Sequence, residues 1–283
     1  MPRDRLQPSN YAVKLAELTV HGDDTEFNSS PVHGKLRQVG PAFENVFFVC
    51  GEMPSTPSRP FFERMFFRYS RTMTVVRRPD GGLVIINSMK LNEGGLQELD
   101  ELGEVRHIVR LGTFHGVDDA FWLRRYPGAQ YWHVQGMTPA KGLPDVVPRT
   151  LVDGSPAGPI PGARIVEFEG ANFPEAILVL PQGVAITCDS IQNHKSIFGG
   201  KYNSWLVSFG IWKIGLLGEA RLGPIWLDNQ GDRSALRSHF HKLLQLDWDV
   251  LVPGHGWPLK SDAKRAVGLS VKSQLPPAPR AKI

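Results

Sequence analysis

The chain has 283 residues, 41% hydrophobic and 10% aromatic, enough to bury a sizeable core and to exclude disorder throughout. Lysine and arginine at 32 against 28 acidic residues leave a net charge of +4, spread without the clustered basic stripe of a nucleic-acid binder. No run of about 18 apolar residues suggests a transmembrane segment, and no apolar stretch opens the chain as a signal peptide would. Cys50 and Cys188 form neither a CxxC motif nor a disulfide framework, so a soluble cytoplasmic protein is expected.

Residues 1–40 mix polar residues with proline and glycine and read as an extended or poorly ordered arm. From Asn45, "NVFFVCGEM" reads as a short apolar strand, and the proline-rich "GEMPSTPSRP" as a loop. In "TMTVVRRPDGGLVIINS" two β-branched runs flank Pro79-Asp80-Gly81-Gly82, the composition of a hairpin turn. "LQELDELG" places Leu96, Leu99 and Leu102 on one helical face, with Gly103 suited to the C-cap. "VRHIVRLG" reads as a strand, "DDAFWLRRYPG" as a helix stopped by Pro127, and "AQYWHV" as another strand. Residues 72–134 thus run β-turn-β-α-β-α-β, which predicts helices packed over a sheet. "RIVEFEG", "AILVLPQGVAITCDS" and "DVLVPGH" continue the strands, with "RSALRSHFHKLLQLD" a helix before the last. With no repeat and no glycine-serine linker, a single domain over 41–268 is expected, followed by a flexible tail over 269–283. An apolar segment near 197–226 holds three of the seven tryptophans. It reads as an insertion packed over one sheet face, or alternatively as a lid, a partner surface or a membrane-surface contact.

Chemistry-bearing residues collect in three strand-end loops. "LGTFHGVDDAF" carries His115, Asp118 and Asp119; "AITCDSIQNHK" carries Asp189 and His194; "VLVPGHGWPL" carries His255 between Gly254 and Gly256. Pro253 ends the last strand, and flanking glycines strip side-chain cover, so His255 is expected at the lip of the fold. Imidazole with carboxylate suits a divalent metal such as zinc. Plainer roles compete. Asp118 and Asp119 suit a helix start, and His194 beside Lys195 suits a solvated turn. His107 and His133 suit half-buried strand packing, while His239 and His241 lie on an amphipathic helix. No G-x-S-x-G elbow and no phosphate-binding glycine loop is present.

The order of motifs over residues 45–260 resembles the metallo-β-lactamase superfamily of hydrolases. The resemblance rests on "PDGGLVIINS", "LGTFHGVDDAF", "EGANFPEAILVL", "AITCDS" and "VLVPGHG", taken in that order. It implies an α/β fold (α+β by some schemes), a four-layer αβ/βα sandwich with a metal site at one edge of two sheets. The departures are specific: Asn87 stands for the hairpin aspartate and Asn172 for a histidine. In the Thr-His-x-His-x-Asp-His motif two registers are open. One aligns Thr113 and leaves Phe114 and Gly116 in the histidine places; the other aligns His115, with Val117, Asp119 and Ala120 following. Only Asp189, in the bridging place, and His255 match without ambiguity.

By this resemblance His115, Asp119, Asp189 and His255 would hold one divalent metal, zinc first, with Asp189 and His255 catalytic. Whether Asp118 or Asp119 faces the site stays open. The implied function is hydrolysis of a small ester, lactone, thioester or phosphoester by metal-activated water. The alternative is a non-catalytic binding module of the same fold, holding no metal.

Overall fold

Side-chain alternation along the strands decides how each sheet is covered. In β2 (Val46–Glu52), Val46, Phe48 and Cys50 enter one apolar cluster while Phe47 and Val49 enter another. β4 (Leu83–Ile86) divides in the same way, with Val84 and Ile86 on one face and Leu83 and Ile85 on the other. The structure is a computed structural model that describes residues 36–52, 69–138, 140, 142–155, 158–194 and 205–277.

The first sheet runs in sequence order. It comprises β1 (Arg37–Gln38), β2, β3 (Ser70–Arg77), β4, β5 (Val105–Arg110), β6 (Gln130–His133) and β7 (Arg149–Thr150). Pairing is antiparallel as far as β4 and parallel from β4 to β7. Parallel neighbours need crossovers, here supplied by α1 (Glu93–Leu102) and α2 (Asp119–Arg125). Asn92 caps α1 by accepting the Gly95 N–H at 2.9 Å, and Gly103 ends it. Leu96, Leu99, Trp122 and Leu123 from these helices close the outer face of the sheet.

The second sheet takes β8 (Arg164–Glu167), β9 (Ala176–Val179) and β10 (Val184–Ile186) as an antiparallel run. A separate pair follows, β11 (Ile191–His194) with β12 (Gly218–Leu222), on either side of α3 (Trp205–Lys213). α4 (Pro224–Asp228), α5 (Arg233–Gln245) and β13 (Val250–Val252) come next, then α6 (Ala263–Gln274). β13 pairs parallel to β10 and sets the sheet order β13-β10-β9-β8. The inner faces of the two sheets share one core, Val84, Ile86 and Val109 with Leu178, Ile186 and Val252 among its members. Helices α4 to α6 cover the outer face of the second sheet through Trp226, Phe240 and Val267. The four-layer αβ/βα sandwich expected from the motifs is therefore what the chain forms.

Four features differ from expectation. Ile191–His194 is a strand, and His194 is buried, not solvated. The final helix runs past 268 to Gln274, because Val271 and Leu275 bury themselves against the second sheet's outer layer. Arm residues 36–40 include β1, which pairs with β2; residues 1–35 lie outside the described residues, as do 53–60 of the expected proline-rich loop. In the apolar segment, whose residues 197–204 also lie outside them, Ile211, Leu216 and Trp226 pack inward. Phe209, Trp212 and Ile214 remain about half exposed, at 48%, 52% and 48%. Among the described residues no helix is long and apolar enough to cross a membrane.

Candidate metal centre

The sheets meet at one edge, where the ends of β4, β5, β10 and β13 are tied together. Asn87 follows β4 with a positive φ of 53°. Its amide donates to Thr187 O at 2.9 Å and accepts the Leu111 N–H at 3.3 Å. In place of the expected aspartate, Asn87 is thus a staple joining both sheets beside the site.

His255 follows β13 and is 3% exposed. Its Nδ1 lies 2.5 Å from the carbonyl of Ser70, the first residue of β3. A carbonyl can only accept, so Nδ1 carries the proton and, in the neutral ring, Nε2 presents its lone pair. That Nε2 lies 3.0 Å from His115 Nε2 and 3.1 Å from Asp189 Oδ1. His115 Nε2 in turn lies 3.6 Å from Asp189 Oδ2. The Tyr69 ring packs over His255 with centroids 4.5 Å apart, and its hydroxyl donates to Gln192.

The glycines around His255 do the opposite of exposing it. A Cβ on Gly254 would fall 2.9 Å from both His115 Cε1 and Cys188 O. Gly256 has φ +87°, and a Cβ there would stand 2.0 Å from Asn193 O. The two glycines let the loop press against β11 and the His115 loop, so the expectation of an imidazole at the lip is corrected to a buried one.

Asp189 is set by its backbone. Buried Glu175, just before β9, accepts the N–H groups of Cys188, Asp189 and Ser190 at 3.3, 3.1 and 2.9 Å. Burial and the nearby Asp189 charge raise the Glu175 carboxyl to about 8. Asp189 itself is held down at about 2: burial opposes this, but the His115 and His255 imidazoles outweigh it. Burial also drives His115 down to about 3, so it is neutral at pH 7. Cys188 Sγ sits 3.4 Å from Asp189 Oδ2. Ligand atoms of His115, Cys188 and Asp189 all lie within 4.8 Å of one another.

Of the residues expected at the site, the structure brings together His115, Asp189 and His255. Asp119 is turned away from them. It opens α2 facing the outer layer, where Ser88 Oγ and Tyr131 OH donate to its two carboxylate oxygens at 2.6 and 2.5 Å. Asp118 makes a buried ion pair with Arg71 and accepts the Lys90 N–H at 2.9 Å. Asp118, at the N-cap of α2, makes no side-chain capping bond; both aspartates hold tertiary contacts instead. Asn172 is exposed and donates to Asn229 O at 2.8 Å. Arg110 fills the space a larger residue at 116 would need and donates to Gly112 O at 3.2 Å, Thr138 O at 3.0 Å and Thr113 O.

The reading of the sequence missed Glu175, Cys188 and Tyr69. For Cys188 a signal existed: it stands at a strand end directly before the retained Asp189. Glu175, an acid opening an all-apolar strand, was a weaker one. The donor set suits a small divalent cation. Nitrogen and oxygen ligands on a tetrahedral zinc stand roughly 3.3 Å apart, and the separations of 3.0, 3.1 and 3.6 Å bracket that edge.

No family model and no curated protein sequence matches the chain. Solved structures do. The metallo-β-lactamase FIM-1 of Pseudomonas aeruginosa, in its mono-zinc form, superposes with a TM-score of 0.55 at 10% identity, over 88% of this chain and 98% of that one. A metallo-β-lactamase of Pontibacter korlensis superposes at 0.51 with 14% identity, over 85% and 99%. A flavoprotein of Thermotoga maritima gives 0.57 at 16% identity, over 85% of this chain and 61% of its own. With its two stacked sheets and outer helices, the chain has the metallo-β-lactamase fold.

Proposed function

We propose that the chain is a metallo-hydrolase in which His115, Asp189 and His255 hold one divalent cation, zinc first. Its substrate is a small ester, lactone, thioester or phosphoester. The observation that carries this reading is the convergence of two imidazole nitrogens and a carboxylate, with His255 held in the metal-binding tautomer by Ser70 O. A neighbour of the same fold known in a mono-zinc form supports a single-metal centre. When bound, the cation would acidify water and polarise the scissile bond.

The chain's own residues divide the remaining work. Tyr69 packs its ring against one face of the His255 imidazole, and Glu175 holds the backbone that aims Asp189. At 14% side-chain exposure against 6% and 4% for the two histidines, Asp189 is the member that solvent reaches most readily. Ionised at neutral pH, it brings negative charge to the cation, and with its carboxyl held at about 2 its part is ligation, not removal of a proton from water.

Elemental analysis of the purified protein tests the proposal. About one equivalent of metal is expected, lost in Asp189→Ala together with any esterase or lactonase turnover. Metal-free protein that gains no thermal stability from zinc or manganese would refute it; saturating cation at about 100 times Kd should add about 2.7 kcal/mol. A second reading, a non-catalytic binding module, draws on Asn87, Asp118 and Asp119 all being engaged in internal bonds. It predicts a biological phenotype unchanged by Asp189→Ala combined with His255→Ala.

A further inference from the structure

We infer that α3 and the turn after it form a docking surface for an anionic lipid bilayer. This does not depend on the cation site. The helix is built the wrong way round for water. Its polar Ser208 is only 3% exposed, and Ile211 and Leu216 pack inward, while Phe209, Trp212 and Ile214 stand about half exposed. The Phe209 and Trp212 rings lie 5.5 Å apart, one turn along the helix, so they form a single patch. A surface helix that faces solvent turns its apolar stripe to the core and its polar residues outward. Here a serine is buried and two aromatic rings are offered outward, which suits an apolar medium on the outside.

Charge identifies that medium. Between Asp189 and Asp228 the chain carries Lys195, Lys201, Lys213 and Arg221 against one acid, Glu219. Lys195 and Lys201 lie outside the described residues. Lys213 is exposed directly after Trp212, and Arg221 Nε donates to Gly215 O at 3.3 Å, which sets a second cation at the turn after Ile214. Aromatic rings beside cations suit the headgroup level of a bilayer, with the rings among the upper acyl chains and the cations against anionic phosphates. A second copy of the chain fits less well. Three half-exposed side chains offer on the order of 300 Å², against the roughly 800 Å² per partner of a stable interface. A twofold contact centred on the patch would also bring two copies of Lys213 together.

Flotation of the full chain with lipid vesicles at physiological ionic strength tests the surface. The chain should float with vesicles of phosphatidylcholine and phosphatidylserine at about 2:1, and bind pure phosphatidylcholine about tenfold less. Lys213→Gln should lower affinity for the anionic vesicles about fivefold, the worth of one cation at the surface, and leave the neutral ones unaffected. Phe209→Ser combined with Trp212→Ser should lower binding to both by more than about tenfold, with the far-ultraviolet dichroism unchanged. If that double variant does not fold, Lys213→Gln on the two vesicle types decides alone. No flotation with anionic vesicles, equal binding to both compositions, or full binding by the double variant overturns the inference. A dimer in solution that Trp212→Ser converts to monomer, with no flotation, assigns the patch to a second copy and overturns it as well.

Discussion

Replacing Gly256 by alanine tests whether the glycines beside His255 are there for close packing. Gly81, in the β3–β4 hairpin, is a matched control: its φ is +80° against +87° for Gly256, and an added Cβ at 81 meets nothing within 4 Å. Both variants carry the cost of a left-handed non-glycine residue, about 1–2 kcal/mol. At Gly256 the new Cβ would also stand 2.0 Å from Asn193 O and 2.6 Å from Asn193 C, backbone atoms that cannot rotate away. Relief requires the loop to separate from β11. That loosens Asn193 N–H to His255 O at 3.1 Å, Trp257 N–H to Asn193 O at 3.1 Å and Asn193 Nδ2 to Trp257 O at 2.6 Å. At about 0.5–1.5 kcal/mol each, these bonds bring the expected cost of Gly256→Ala to about 3–6 kcal/mol. That is a large fraction of the roughly 5–15 kcal/mol by which domains are stable. Urea unfolding followed by circular dichroism, with m-values compared, measures both variants. Equal costs for the two, within about 0.5 kcal/mol, would show the packing argument to be wrong.

Two further outcomes are expected. Asp119→Ala should destabilise the protein by about 2–5 kcal/mol, because the buried Ser88 and Tyr131 hydroxyls lose their acceptor. Metal content should stay unchanged, and a loss of metal from a folded variant would return Asp119 to the ligand set. Acid should weaken the fold through His107, which burial and then Arg78 lower to about 4. Its Nδ1 already accepts from Trp132 Nε1–H at 3.1 Å, so protonation opposes that bond. The unfolded chain, with histidine near 6.5, binds this proton first; stability is therefore full above about pH 6.5 and is lost as pH falls towards 4. The change amounts to about 3 kcal/mol, and His107→Gln should lessen the fall in the denaturation midpoint across that window, leaving the part due to His115 and His194.

Much of the fold was legible because local patterning and global burial agree. The β3–β4 hairpin announced itself through Pro79-Asp80-Gly81-Gly82, and α1 through Leu96, Leu99 and the Gly103 stop. β11 was not legible: "IQNH" carries polar side chains, and its burial comes from β12 and the His255 loop, neither of which is adjacent in sequence. The same reason hid the true state of His194.

At the site, the chain alone determined that a carboxylate and an imidazole, Asp189 and His255, stand at the ends of strands, since an apolar β-run followed by a polar residue is a local signal. Which groups those side chains meet was decided only in three dimensions. The same stretch of sequence sends His115 to the centre and Asp119 away from it, because α2 begins between them and turns the aspartate towards Ser88 and Tyr131. Cys188 and Glu175 acquire their surroundings from parallel pairing of β10 with β13 and from the crossing of the His115 loop. Contacts at the site join residues up to 185 positions apart in the chain, as Ser70 and His255 are. Distances of that kind depend on how sheets stack, and no local pattern of residues encodes them.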